Sequence, residues 1–343
     1  MRRLRVVVVG AGRAGTVHAM NLADYAARAQ VTGVVDASEE AAAALADRAG
    51  GCATWTRLED ALAASELDAI VISTPTFTHR QLAVSAAGAG KHVFCEKPMA
   101  LTVDECDEMI AAAAAAGVVL QIGFMRRFQP EFVEARRRIK AGELGAPMVI
   151  KSLTRGPGLP PRWAWDLTRS NGMLAEVNSH DFDCVRWLVG SELERVYAEV
   201  ADRKGAARGV DTPDFYDNAV VSLRFEDGAI GTIDGTCPAD YGYDARVEVV
   251  CEGGLLMVGE LRGQAILEVR DRDVGIVAPL HRTWPERFRD AYRAEIQAFV
   301  DCALDGGNPR VGGHDGRAAV AAVRAANRSW REGRPVELSE EDA

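Results

Sequence analysis

The chain has 343 residues, a length that suits two domains better than one, and its 48% hydrophobic and 26% charged residues are ordinary for a globular protein. A formal net charge of −10 argues against nucleic acid or an anionic membrane as partner, because both attract basic surfaces. The seven cysteines are scattered and lack a C-x-x-C pair, which suggests neither a metal site nor a disulfide framework and fits a reducing cytoplasm.

In chain order, Arg5 to Val9 is a β-branched run that meets glycine at once, so it reads as a strand and not as the apolar region of a signal peptide. Ala14 to Ala29 reads as a helix, Val31 to Val35 as a strand ending at Asp36, and Ser38 to Ala49 as an Ala/Glu helix with Ser38 as N-cap. Ala69 to Ser73 is a strand closed by Thr74-Pro75, and Thr78 to Gly88 a helix ended by glycine. His92 to Cys95 is a strand, Val103 to Ala116 a helix capped by Thr102, and Val118 to Gly123 a strand. This alternation means a parallel, doubly wound sheet.

Beyond Gly123 the pattern changes. Pro130 to Ala141 is a helix and Pro147 to Thr154 a strand, followed by a Pro/Gly/Trp-rich loop from Gly156 to Asp166. Residues 173–189 read as one helix. From Arg195 to Val258 strands dominate, separated by turns such as Glu226-Asp227-Gly228 and Glu252-Gly253-Gly254. Helices at Phe288 to Leu304 and Gly316 to Trp330 close the chain. The fold class is therefore α/β: a doubly wound dinucleotide-type domain over 1–123, then an α+β domain over 124–343 with a large, mostly antiparallel open sheet. No stretch approaches the 18 or so apolar residues of a membrane span. The basic run Arg136-Arg137-Arg138 reads as a solvated helix face.

Two motifs carry the chemistry. Gly10-Ala11-Gly12-Arg13-Ala14-Gly15 follows a strand and opens a helix, and Asp36 stands at the next strand end, 21 positions after Gly15. In such a loop the glycines allow a tight turn and close approach of backbone to a pyrophosphate. The helix N-terminus presents free N–H groups to the phosphates. Asp36 is where a carboxylate accepts from the ribose hydroxyls, which favours NAD; Arg13 and Ser38 keep NADP open. A helix-start turn, or the loop of an S-adenosylmethionine-dependent methyltransferase, is the weaker alternative. The second motif is Cys95-Glu96-Lys97-Pro98, which sets a lysine and a rigid turn at a strand end.

With these motifs recur Thr74-Pro75 with His79, Gly90 to Pro98, Gly123 to Phe128, His180-Asp181-Phe182-Asp183, Tyr243 to Glu248, and Gly333-Arg334-Pro335-Val336. On these the chain resembles the Gfo/Idh/MocA oxidoreductase family over nearly its whole length, and within it the inositol 2-dehydrogenases. The resemblance implies a Rossmann domain, a C-terminal domain whose open sheet floors the substrate site, and NAD(P)-linked oxidation of a secondary alcohol on a polyol or sugar. It implies Lys97 near the reacting hydroxyl and His180 as acid/base, with which of the two is the immediate base left open. Glu176 stands where those dehydrogenases carry an aspartate four residues before the histidine, and Thr76 where many relatives have asparagine. On one helix, Glu176 would lie beside His180.

The cofactor set expected is Gly10, Gly12, Arg13, Ala14, Gly15, Asp36, Ser73, Thr74, His79, Glu96 and Lys97. Substrate candidates are Arg126, Trp163, Trp165, Asp166, Tyr243 and Tyr292, with no metal. Glu176, His180 and Asp183 also make an i, i+4, i+7 face of ligand types, but hydride transfer needs none. His18, His92, His281 and His314 receive no role. The resemblance also implies a homodimer or homotetramer through the exposed sheet. Two other functions remain open here: a glycosidase using tightly held NAD for transient oxidation, and a non-catalytic dinucleotide sensor.

Overall fold

A computed structural model describes residues 2–64, 66–259 and 281–341, and the backbone of two short strands at 268–269 and 276–277. The chain forms two compact units: Met1–Phe128 with Asp290–Val320, and Gln129–Arg289 with Ala321–Ala343.

In the first unit the elements are β1 (Leu4–Val9), α1 (Arg13–Asp24), β2 (Ala29–Val35), α2 (Glu39–Arg48), β3 (Ala53–Trp55), α3 (Leu58–Ala64), β4 (Ala69–Ile72), α4 (His79–Gly88), β5 (His92–Glu96), α5 (Val103–Ala116) and β6 (Leu120–Gly123). The strands form one parallel sheet in the order β3-β2-β1-β4-β5-β6, so the order reverses beside β1. That switch point is where open α/β sheets bind ligands, outside the strands' C-terminal ends. β4 is buried along its length and β1 at every residue but Arg5, as strands covered by helices on both faces must be. Ser38 caps α2 by accepting from Ala41 N–H at 3.2 Å, and Thr102 with Glu105 forms a capping box on α5. Helix α1 ends earlier than its composition suggests, at Asp24, because the chain turns to start β2 at Ala29.

The second unit contains α6 (Pro130–Lys140), β7 (Pro147–Arg155), α7 (Leu167–Ser170), α8 (Gly172–Glu176), α9 (Ser179–Val189), β8 (Leu193–Ala201), β9 (Asn218–Phe225), β10 (Ile230–Thr236), β11 (Asp244–Cys251) and β12 (Gly254–Val258). The short pair β13 (Glu268–Val269) and β14 (Ile276–Val277) follows, then α10 (Trp284–Arg287). In chain order α11 (Arg289–Asp305) then belongs almost wholly to the first unit, α12 (Gly313–Glu332) is divided between the two at Val320, and β15 (Val336–Glu337) belongs to the second. The large sheet runs β12-β11-β7-β10-β9-β8-β15 and is antiparallel except where β7 meets β10. Burial alternates strictly along β9, the mark of a sheet with one face on a core. The Arg136–Arg138 run lies on α6, where Arg137 pairs with Glu134 and Glu143, and Arg138 with Glu143.

Two further features depart from the sequence reading in the second half of the chain. The expected helix over 173–189 is broken: α8 ends at Glu176, Val177 and Asn178 turn, and α9 starts at Ser179. The region 124–343 is also not one body, since α11 returns to the first unit. Its Ile296, Phe299 and Val300 are fully buried in one core cluster with Leu4, Val6, Val34, Val71 and Phe94. Among the described residues, no helix is long and apolar enough to cross a membrane.

Candidate active site

The first unit gathers its motif residues around the ends of β1, β4 and β5. Gly10 has a φ of +102°, and a Cβ there would lie 2.7 Å from Ser73 O. A Cβ on Gly15 would lie 1.8 Å from Gly10 O, so the loop and helix close on each other only without side chains. Ser73 Oγ donates to Gly10 O at 3.1 Å and to Val9 O at 3.2 Å as alternatives, pinning the loop to the end of β4. Gly12 is the N-cap of α1 and offers no side-chain cap, and Arg13 is exposed. Its first-turn N–H groups therefore have no side chain competing for them, which is what a bound pyrophosphate requires. Asp36 Oδ2 accepts from Ala11 N–H at 2.7 Å and Oδ1 from Ser38 N–H at 2.9 Å. The carboxylate is thus fixed at the β2 terminus. These features fit a dinucleotide with unphosphorylated ribose: open helix N–H groups, a Cβ-free cradle and a fixed acceptor.

A second group surrounds the Glu96-Lys97-Pro98 turn, whose Lys97–Pro98 peptide is cis. His79 is buried between two carbonyls, with Nδ1 2.9 Å from Pro98 O and Nε2 2.9 Å from Thr74 O. It therefore ties the Thr74-Pro75 loop to the lysine turn. Burial lowers its pKa, against the two carbonyl contacts, which raise it. Thr78 Oγ1 donates to Pro75 O at 2.7 Å, so its 2.6 Å contact with Thr74 Oγ1 has Thr74 as donor. Glu96 is buried, with Oε1 2.7 Å from His18 Nε2 and Oε2 accepting from Lys97 N–H at 3.1 Å. Arg126 is buried in the short 3-10 turn Met125–Phe128. Tyr292, on α11, lies in this unit with its ring edge-on to His18 at 5.7 Å.

In the second unit His180 is the second residue of α9 and is 6% exposed. Glu176 is the last residue of α8, so the two flank a corner and do not share a helix face. Asn178 builds that corner. Its Nδ2 donates to Asp181 Oδ2 at 2.8 Å, and Ser152 Oγ of β7 donates to Asp181 Oδ1 at 2.5 Å. A Cβ on Gly235 of β10 would come within 2.1 Å of Asn178 Oδ1. The turn carrying His180 is thus clamped to β7 and fitted against a bare stretch of β10. The same break removes the regular Glu176, His180, Asp183 face. Among the described residues, no cluster of three His, Cys, Asp or Glu is placed to hold a metal.

The Trp-rich loop forms the 3-10 turn Arg162–Trp165. Trp165 Nε1 donates to Pro160 O at 2.9 Å, and its ring stands edge-on to Phe215 at 6.4 Å. Trp163 is half-buried in the same turn. Asp166 caps α7, accepting from Thr168 N–H at 2.9 Å and Thr168 Oγ1 at 2.7 Å, contacts that lower its pKa. Tyr243, just before β11, is buried with its ring perpendicular to Phe288 at 6.1 Å. The sequence reading gave no role to His18 and did not single out Asn178. His18 falls on the buried stripe of α1 with Gly15, Ala19 and Leu22, where it reads as core.

Comparison with known proteins agrees with the fold. Residues 4–124 match the family model described as "Oxidoreductase family, NAD-binding Rossmann fold", and 132–257 match the "GFO/IDH/MocA C-terminal domain". The chain is 34% identical to myo-inositol 2-dehydrogenase of Thermotoga maritima, over 98% of this chain and 99% of that protein. It is 35% identical to scyllo-inositol 2-dehydrogenase (NAD(+)) of Bacillus subtilis, over 98% and 96%. Its fold matches scyllo-inositol dehydrogenase of Lactobacillus casei, crystallised with NAD(H) and scyllo-inositol, with a TM-score of 0.90 at 25% identity, over 98% and 100%.

Proposed function

The chain belongs to the Gfo/Idh/MocA family of NAD-binding oxidoreductases, and on that footing we propose that it is an inositol-class dehydrogenase, oxidising one secondary alcohol of a cyclic polyol to a ketone. When bound, NAD takes the hydride; the chain supplies placement and proton transfer. Asp36, fixed from both sides by Ala11 and Ser38 N–H, accepts from the adenosine ribose hydroxyls and repels a 2′-phosphate. The Lys97 ammonium holds the substrate oxygen and stabilises alkoxide character. His180, clamped by the Asn178–Asp181–Ser152 chain, exchanges the hydroxyl proton. Glu176 flanks His180 across the corner and serves as a substrate or imidazole partner. Arg126, Tyr243, Trp163, Trp165 and Asp166 contribute to polyol recognition. Tyr292, whose ring stands edge-on to His18 at 5.7 Å, is a further residue assigned to substrate contact.

The observation that carries this reading is full-length likeness to dehydrogenases of inositols, combined with a Glu-Lys-Pro turn braced by two buried histidines. The test is NADH absorbance with NAD and a panel of inositols and aldoses. Turnover is expected with myo- or scyllo-inositol. Lys97→Ala and His180→Ala should each lower kcat by about a hundredfold or more, the usual scale of a positioned acid or base, while NAD still binds. Near-normal turnover in either variant would remove that residue from the chemistry.

The protein also works as a homo-oligomer in this reading, in a reducing cytoplasm where its seven cysteines stay free. Val220, Ile230, Leu255 and Met257 are 49–75% exposed, and the strand register sets them on one face of the large sheet. Such apolar positions suit burial against a second copy. Light scattering should give a dimer or tetramer, and Met257→Glu with Ile230→Glu should shift it toward monomer. A wild-type monomer at micromolar concentration would refute the assignment.

A further inference from the structure

The Glu96 carboxylate is buried at 6% exposure and sits one residue before Lys97. Burial alone would raise its pKa. The His18 hydrogen bond, the neighbouring charges of His18 and Lys97, and the Lys97 N–H outweigh this and hold it below the ordinary carboxyl value. The His18 ring is itself fully buried, packed against Phe94 at 4.8 Å and Tyr292 at 5.7 Å. Its Nδ1 has no hydrogen-bond partner among the described residues.

An ionised Glu96 can only accept, so His18 Nε2–H donates to Glu96 Oε1 at 2.7 Å. The carboxylate ends with an N–H on each oxygen, from His18 and from the Lys97 backbone.

We propose that His18 is a positioning residue for the lysine: its Nε2–H keeps Glu96 ionised, and the Glu96 anion fixes the Lys97 backbone and supplies the buried counter-charge for its ammonium. The inference rests on the reading of Lys97 as the group that holds the substrate oxygen. It also gives α1 a second task. The helix that opens at the dinucleotide loop reaches, through its second turn, the turn that carries the lysine. The other ionisable groups about the pair are Lys97, Cys95 and His79, each within electrostatic reach of Glu96, and Tyr292 on α11, with Glu295 one helical turn further on. Leucine at position 18 would fill the pocket but donate nothing; glutamine keeps an N–H near the Nε2 position.

The experiment follows the protonated-carboxyl infrared band and kcat across pH in full-length protein. The variants are His18→Leu, His18→Gln, Glu96→Gln, Lys97→Ala and the His18→Leu/Glu96→Gln double. In His18→Leu a protonated carboxyl band is expected near neutral pH, absent from wild type and from the double variant. Its kcat should fall roughly tenfold or more there and recover as pH rises and the band disappears, because Glu96 is again ionised. Glu96→Gln should be slow at every pH, His18→Gln should track wild type, and NAD affinity of the His18 variants should stay within about twofold, as the phosphate loop is untouched. A His18→Leu protein without the band, or with a loss of kcat that pH does not relieve, would overturn the proposal, since packing damage alone has no such signature. Near-normal kcat in Lys97→Ala would instead overturn the reading of the lysine, and the infrared arm would still report on His18 and Glu96.

Discussion

The proposed choice of NAD over NADP rests on one carboxylate, Asp36. Both of its oxygens are already oriented by backbone N–H groups, so the side chain does not search for the ribose. Hydrogen bonds to a charged acceptor are worth about 1.5–3 kcal/mol each. Asp36→Ala should therefore weaken NAD roughly tenfold or more and narrow or reverse its advantage over NADP, read as the ratio of kcat/KM for the two cofactors. An unchanged ratio would move selectivity to Arg13 or Ser38. At this scale the sequence was readable where a residue type can serve few purposes, as at Gly10 and Gly15, where a Cβ would meet backbone within 2.7 Å and 1.8 Å. It was silent on His18, because a histidine on an apolar helix stripe looks like core, and only its 2.7 Å contact with Glu96 distinguishes it.

Among the elements, the corner between α8 and α9 matters most for the proposed chemistry. Gly235→Ala would set a methyl 2.1 Å from Asn178 Oδ1. The clash should cost about 1–3 kcal/mol of stability, as core overpacking does, and displace the turn bearing His180. The expected outcome is a clear fall in kcat with cofactor affinity retained, because the dinucleotide loop belongs to the other unit; equal loss of both, or of neither, would contradict it. Strands and helices announced themselves where apolar runs met glycine, proline or a cap, as at β1, α2, β4 and α5. The break at Val177 and Asn178 did not, since neither residue is a breaker. The local contact with Asp181 and the bare Gly235 on β10 make it, and the approach of β10 is set by the fold and not by the neighbouring sequence. Strand β3 escaped notice for a related reason: three residues pairing with β2 carry no periodic signal.

For the molecule as a whole, pH is the sharpest probe. Burial lowers the pKa of His79 and of His92, whose Nδ1 accepts from Val119 N–H at 3.1 Å. A histidine with a lowered native pKa binds its proton more readily in the unfolded chain. Its contribution is whole above the ordinary value of 6.5 and is lost as pH falls below it. Carboxylates with lowered values, such as Glu134 and Glu143, act only below their ordinary 4.5. Urea unfolding should therefore show stability declining between 6.5 and 4.5, and His92→Asn, which keeps an acceptor for Val119 but cannot take a proton, should flatten part of that slope. A slope that His92→Asn leaves unchanged would assign the decline to His79 or elsewhere. The fold class was legible because alternation and turn chemistry run the length of the chain. The return of α11 was not: an amphipathic helix shows that it has a buried face, and not which sheet that face covers.

That return bears on how such a protein can be cut and rebuilt. A fragment ending near Gly123 would keep every strand of the parallel sheet yet lose Ile296, Phe299 and Val300, stripping apolar cover from the core around Leu4, Val6 and Phe94. It should express as an aggregating remnant and not as a free-standing nucleotide module. Grafting a new specificity onto this framework therefore calls for two splice points, one near Gln129 and one near Arg289, with the tail from Ala321 exchanged along with them.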